Sequence, residues 1–264
     1  MGQESFMDHQ RLDGAARDAS LTHRVILPRV AGDDAPPGLL VLHGRGADES
    51  DLLSLAPALD TRLVIVAARA PFQLGPGFHW YDLLAIGRPE PESFGRSREL
   101  LGRFLGEIVD GYGIDPKRLF LLGFSQGAMM SGSLLLMQPG AIAGAVLLSG
   151  YLPLHAGLTI DPEAVRGKPV FVRHGTRDEV IPVEFGRESR EFLSAAGAAL
   201  DYGEYPIGHQ ISEQELRDVA AWITGRLDGA PPSAADSGGD APTSNSPVRA
   251  SSDAGRDRQR QDAR

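Results

Sequence analysis

The sequence has no cysteine, only two lysines, no apolar run longer than a strand and no block of basic residues. Without thiols there is no disulfide scaffold, no thiolate zinc or iron–sulfur site and no cysteine nucleophile. Apolar runs such as Gly38–Leu42, Leu63–Ala68 and Leu119–Leu122 are far short of the ~20 residues that cross a bilayer. The first thirty residues lack an apolar stretch behind a basic start and carry Asp8, Asp13 and Asp18 instead, so no secretory signal is expected. Acids outnumber bases 35 to 26, a net charge of −9 that repels nucleic acid and anionic lipid. These absences lead to the expectation of a soluble, cytoplasmic protein without an integral membrane segment or a nucleic-acid partner. Arginine supplies nearly all the positive charge, and no function is drawn from that.

The 264 residues divide by composition. Residues 1–21 read as a flexible leader. Residues 229–264 are mostly Gly, Pro, Ser, Ala, Asp and Arg with Val248 as the one large aliphatic, too little apolar surface to offset ordering entropy, and read as a disordered tail. The fold is expected in 22–228. There, apolar runs at His23–Leu27, Leu39–Leu42, Leu63–Ala68, Leu119–Gly123, Ala145–Ser149, Val170–Arg173 and Leu200–Tyr205 alternate with helical patterns. Several runs are apolar almost throughout, as in strands covered on both faces. Leu100, Leu101, Phe104, Leu105, Ile108 and Val109 follow a helical period that ends before Gly111 and Gly113. Ser212 and Glu215 form a capping box ahead of Leu216, Val219, Ala220, Ile223 and Leu227. The predicted class is α/β, a mostly parallel central sheet with helices on both faces.

Gly123-Phe124-Ser125-Gln126-Gly127 fits G-x-S-x-G directly after a strand and before a helical run, the setting of a nucleophile elbow. A serine hydroxyl needs a base. Hydrolases with this elbow run serine, acid, histidine along the chain, and His209 is the sole histidine beyond the loop 174–178. Asp178 is the favoured acid, with Glu179 and Asp201 as rivals. An oxyanion needs two N–H donors; Gln126 follows the nucleophile, and Arg45 lies in the glycine loop after Leu42. His43 and His174 each precede a glycine at a strand end, where backbone packing accounts for them. Phe78, Trp80, Leu84, Met129, Met130, Leu152 and Pro153 are candidates for an acyl wall, and Asp48 for a loop cap.

These motifs resemble the phospholipase/carboxylesterase family of α/β-hydrolases, which includes acyl-protein thioesterases and small bacterial carboxylesterases. LHGRGAD (42–48), HWYD (79–82), GFSQGAMM (123–130), LLSGYLP (147–153), HGTRDEVIP (174–182) and GHQIS (208–212) occur in the family's order over about 170 residues. The resemblance implies an α/β-hydrolase fold and a Ser125, Asp178 and His209 triad. It also implies main-chain oxyanion donors at Arg45 and Gln126 and a substrate-facing loop around Trp80-Tyr81-Asp82; of the acyl-wall candidates, Met129 and Leu152 are added to Trp80 and Tyr81 as expected substrate-binding residues. Arg45 stands where family members often carry leucine, and the block 71–95 departs from the pattern. The expected chemistry is carboxylic ester hydrolysis through an acyl-enzyme, on a small-molecule ester or acyl substrate, with no metal or organic cofactor. Thioesterase or lysophospholipase action is the alternative, and a non-catalytic ligand receptor is the reading from another class. A homodimer stays open.

Overall fold

The computed structural model describes residues 19–30, 34–229 and 247–248. Seven strands make one sheet: β1 (His23–Ile26), β2 (Gly38–Leu42), β3 (Val64–Ala68), and, after two small hairpins and a helix, β8 (Leu119–Phe124), β9 (Gly144–Leu148), β10 (Pro169–Gly175) and β11 (Ala199–Tyr205). The hairpins pair β4 (Phe72–Leu74) with β5 (Gly77–His79) and β6 (Leu83–Ala85) with β7 (Arg88–Pro89). The strand order is β1-β3-β2-β8-β9-β10-β11, with only β1 antiparallel to its neighbour.

Side-chain alternation splits the sheet into two cores. Leu40, Leu42, Val64, Leu121 and Leu147 face one side, under α1 (Pro91–Tyr112), α2 (Gln126–Met137) and α3 (Val183–Ala195). Leu39, Val41, Ile65, Leu122 and Val146 face the other, under a 3-10 turn (Asp51–Ala58) and α4 (Glu213–Leu227). Every residue of β2, β3, β8 and β9 is buried, which explains why those runs show no polar alternation. This is the doubly covered, mostly parallel sheet expected of an α/β-hydrolase.

Sequence periodicity locates the seven sheet strands to within about a residue or two. It shortens α1, which starts at Pro91 because the Glu90 carboxylate caps the Glu92 and Ser93 N–H groups, and which runs through Gly111 to Tyr112. It does not locate α3 or the two hairpins. The capping box at Ser212 and Glu215 is present, and Val219 and Ile223 are buried behind it. Such a cap is worth about 1 kcal/mol.

Leu21 is buried and the Ser20 N–H donates to Glu107 at 2.6 Å, so residues 19–21 belong to the fold rather than to a leader; residues 1–18 lie outside the described residues. In the predicted tail, Pro247–Val248 forms a strand, β13, antiparallel to β12 (Ile211–Ser212). The rest of the tail beyond Gly229 lies outside the described residues.

Candidate active site

Three loops at the carboxyl ends of β8, β10 and β11 converge. Between β8 and α2 the chain turns at Ser125, whose φ of 54° and ψ of −119° are strained for a residue with a side chain. The turn closes only because its flanks lack side chains. A Cβ on Gly123 would lie 2.2 Å from the Gly127 carbonyl oxygen, and one on Gly127 would lie 1.9 Å from that of Leu42. The Ser125 N–H donates to Leu148 O at 3.0 Å, tying the turn to β9.

His209 sits between β11 and β12. Its loop is stitched to the loop after β10, where Thr176 N–H donates to Tyr205 O (2.7 Å) and Arg177 N–H to Ile207 O (3.0 Å). The His209 ring leans on Phe124, with centroids 4.9 Å apart. In this position Nε2 is 3.0 Å from Ser125 Oγ, and Nδ1 is 2.7 Å from Asp178 Oδ2. A carboxylate oxygen accepts only, so Nδ1 carries the proton and Nε2 is free to accept from the serine hydroxyl.

Asp178 is held from all sides. Oδ1 accepts from the Val180 and Ile181 N–H groups at 2.9 and 2.8 Å. Its side chain is fully buried, which alone would raise its pKa; hydrogen bonds from His174, His209 and Ile181 N–H outweigh burial and hold it well below the usual carboxylate range. The rival acids lie elsewhere. Asp201 is bound to Arg173 at 2.7 Å, and Glu179 is exposed beside Asp178.

Two backbone donors near Ser125 have no acceptor among the described residues. The Gln126 N–H opens α2, where no carbonyl lies one turn back to receive it. The other is Arg45 N–H, in a turn with Gly46 at φ 85°. Its neighbours are used: Gly46 N–H donates to Phe78 O (2.7 Å) and Ala47 N–H to Gly44 O (3.4 Å). The turn is close to the serine, since a Cβ on Gly44 would lie 3.5 Å from Ser125 Cβ.

His43 orients this turn, a role beyond the backbone packing expected of it. Ala70 N–H donates to its Nε2 at 3.1 Å, so the proton sits on Nδ1, which donates to Gly44 O at 2.7 Å. Burial lowers the His43 pKa and keeps the ring neutral. In a planar trans peptide the N–H points opposite to the C=O, so Arg45 N–H is directed away from the His43 ring. The Trp80 indole N–H adds a bond to His43 O at 2.9 Å. The HG dipeptide after an apolar strand was the available signal, but the ring's bond to the next carbonyl has no sequence signature.

The expected substrate-facing residues Trp80, Tyr81, Met129 and Leu152 are all buried, exposed by 1% or less. Trp80 and Tyr81 are drawn inward because the Gln126 side chain accepts from Trp80 N–H (3.0 Å) and donates to Tyr81 O (2.9 Å), and the Tyr81 hydroxyl meets the Met129 sulfur. Leu152 N–H donates to Ser189 Oγ of α3 at 2.8 Å. Met130 and Pro153 are buried as well, while Phe78 lies under the Arg69 guanidinium at 4.6 Å. Leu84 is the exception at 60% exposure, on the β6–β7 hairpin. Asp48 caps its own loop by accepting from Ser50 N–H at 2.7 Å. Among the described residues no group of three His, Cys, Asp or Glu side chains is placed to hold a metal, and no helix is long and apolar enough to cross a membrane.

Comparison with known proteins shows the family to which the chain belongs. Residues 29–226 match the Phospholipase/Carboxylesterase family. A Candida albicans protein named acyl-protein thioesterase 1 is 30% identical over 215 residues, covering 73% of this chain and 93% of its own. A probable carboxylesterase of Oryza sativa subsp. japonica is 37% identical over 157 residues, 56% of this chain and 58% of its own. Among solved structures, the Bacillus cereus carboxylesterase superposes with a TM-score of 0.71 at 28% identity, covering 78% of this chain and 95% of that one. A carboxylesterase from Mesorhizobium loti gives 0.71 at 26%, covering 80% and 98%. With the match spanning six of the seven sheet strands and every loop that meets at Ser125, the chain belongs to the phospholipase/carboxylesterase family of α/β-hydrolases.

Proposed function

We propose that this protein is a carboxylic ester hydrolase in which Ser125, His209 and Asp178 act as a catalytic triad. The observation that carries the reading is the unbroken row of hydrogen bonds from Ser125 Oγ to His209 Nε2 (3.0 Å) and from His209 Nδ1 to Asp178 Oδ2 (2.7 Å). Ser125 Oγ attacks the ester carbonyl carbon while its proton passes to His209 Nε2. The carbonyl oxygen becomes an oxyanion and accepts from Arg45 and Gln126 N–H. Collapse breaks the bond to the leaving group, which takes the proton from His209. Water then attacks the acyl-enzyme, gives a proton to His209 and releases the acid, and Ser125 regains its proton. Asp178 stabilises the imidazolium and holds the tautomer. Removing one oxyanion donor from such a site typically costs about 2.7 to 4 kcal/mol of transition-state stabilisation.

The test is turnover of a short p-nitrophenyl ester. Ser125→Ala is expected to lower kcat by about 10⁴-fold or more with the melting temperature retained; near wild-type turnover would remove the assignment. The same reaction chemistry accepts a thioester, and the long match to the Candida albicans thioesterase favours including one. A panel of ester, acyl-thioester and lysolipid substrates separates these readings.

A further inference from the structure

Asp178 faces a second imidazole. His174, the penultimate residue of β10, is fully buried, and its Nε2 lies 2.8 Å from Ile181 O and 3.5 Å from Asp178 Oδ2. Two oxygen acceptors around one nitrogen require that nitrogen to carry a proton, and both the neutral Nε2–H tautomer and the imidazolium meet that requirement. The other ring nitrogen, Nδ1, is buried with no hydrogen-bond partner and packs against α3, where a Cβ on Gly186 would come within 2.8 Å of it. The ring therefore cannot turn without losing the Ile181 bond or striking the helix.

The charged surroundings are few. His209 approaches Asp178 from the loop after β11, and Glu215 acts on His174 from the first turn of α4. Arg173, next in the strand, is turned to the Asp201 carbonyl and carboxylate. Burial works against charge on the His174 ring, but the Asp178 carboxylate and Ile181 carbonyl outweigh it and raise its pKa.

We propose that His174 is a positioning residue for the base: its Nε2–H, anchored on Ile181 O, donates to the same Asp178 oxygen that His209 uses. The proposal rests on the triad reading. The added donor fixes the carboxylate beneath His209 and withdraws part of its negative charge. A less negative Asp178 stabilises the His209 imidazolium less and so favours the neutral ring that accepts from Ser125.

The experiment compares kcat/KM against pH for wild type, His174→Leu and His174→Gln on a p-nitrophenyl ester. Leucine removes the donor; glutamine keeps one that can reach the Nε2 position but carries no charge. Without the donor Asp178 is more negative and stabilises positive charge on its imidazole partner more, so the acidic limb of kcat/KM moves up. A shift of about half a unit is expected, seen as about threefold lower kcat/KM on the acid side and little change on the alkaline side. His174→Gln is expected to return the limb to the wild-type position, which a purely structural role does not require. An unshifted limb in His174→Leu, or a glutamine variant that behaves as leucine does, overturns the proposal. Should His174→Leu fail to fold, the His174 ring ¹⁵N shifts of the wild type and of Asp178→Asn decide: an Nε2 resonance that moves in the variant supports the contact, and identical shifts overturn it. Wild type without esterase activity would sink the triad reading instead, and the ¹⁵N measurement would still test the contact.

Discussion

Burial without a full set of partners gives Glu215 a distinctive behaviour. Its carboxyl caps the Ser212 N–H, yet Oε1 has no hydrogen-bond partner and the side chain is closed off from solvent. Burial pushes its pKa up to about 8 from an ordinary 4.5. An acid with a raised folded-state pKa contributes stability below its unfolded value and loses it as pH rises to the folded value. The contribution is therefore full below about pH 4.5 and gone above about pH 8. Glu215→Gln keeps an oxygen for the cap and removes the charge. It is expected to raise stability by about 1 to 3 kcal/mol at pH 9 and to change little at pH 5, measured as urea midpoints; equal effects at both pH values would contradict the account. Asp178 runs the other way. Its lowered pKa means that its contribution is present above the ordinary carboxylate range and is lost only in strong acid.

The β8–turn–α2 element brings strand, turn and helix so close that only hydrogen fits at two positions. Gly127→Ala would drive a methyl into Leu42 O and so push β2 away from the helix that begins at Gln126. A loss of at least about 2 kcal/mol is expected, with esterase activity falling further than stability because the Arg45 turn follows β2 directly. Thermal melts and kcat on the same preparation check this, and a variant with wild-type values for both would contradict it. This element was legible in the sequence because each constraint leaves a residue mark: glycine at two fixed offsets, a serine between them, an apolar strand before and a helix after. The hairpins between residues 72 and 89 left no comparable mark. Their strands are two or three residues long, and Trp80 and Tyr81, which follow β5, are held by the Gln126 amide, a contact across 45 and 46 residues that no local pattern announces. Aromatic residues in such a segment read equally well as pocket wall or as core, and in this structure both are buried.

Across the whole molecule, the sheet order places β8 near the centre, with β2 on one side and β9, β10 and β11 on the other. The loop after β2 carries Arg45, the proposed oxyanion donor, and those after β8, β10 and β11 carry Ser125, Asp178 and His209 of the proposed triad. Chain order alone singled out His209, since it is the last of the seven histidines and stands beyond the acid. The second imidazole on Asp178 was hidden. His174 read as packing beside Gly175, because a four-residue spacing across a turn does not say which way a buried ring points. Nor does composition reveal that residues 19–21 join the fold, an outcome decided by the Leu21 side chain and the Glu107 carboxylate far away in sequence.

The most direct test of the central claim is reaction with a fluorophosphonate, followed by intact mass and peptide mapping. A hydroxyl activated by His209 is expected to yield a single phosphonyl adduct per chain, on the peptide that contains Ser125, absent in Ser125→Ala and strongly slowed in His209→Ala. A folded wild-type protein that takes up no label, or takes it up on another residue, would contradict the account.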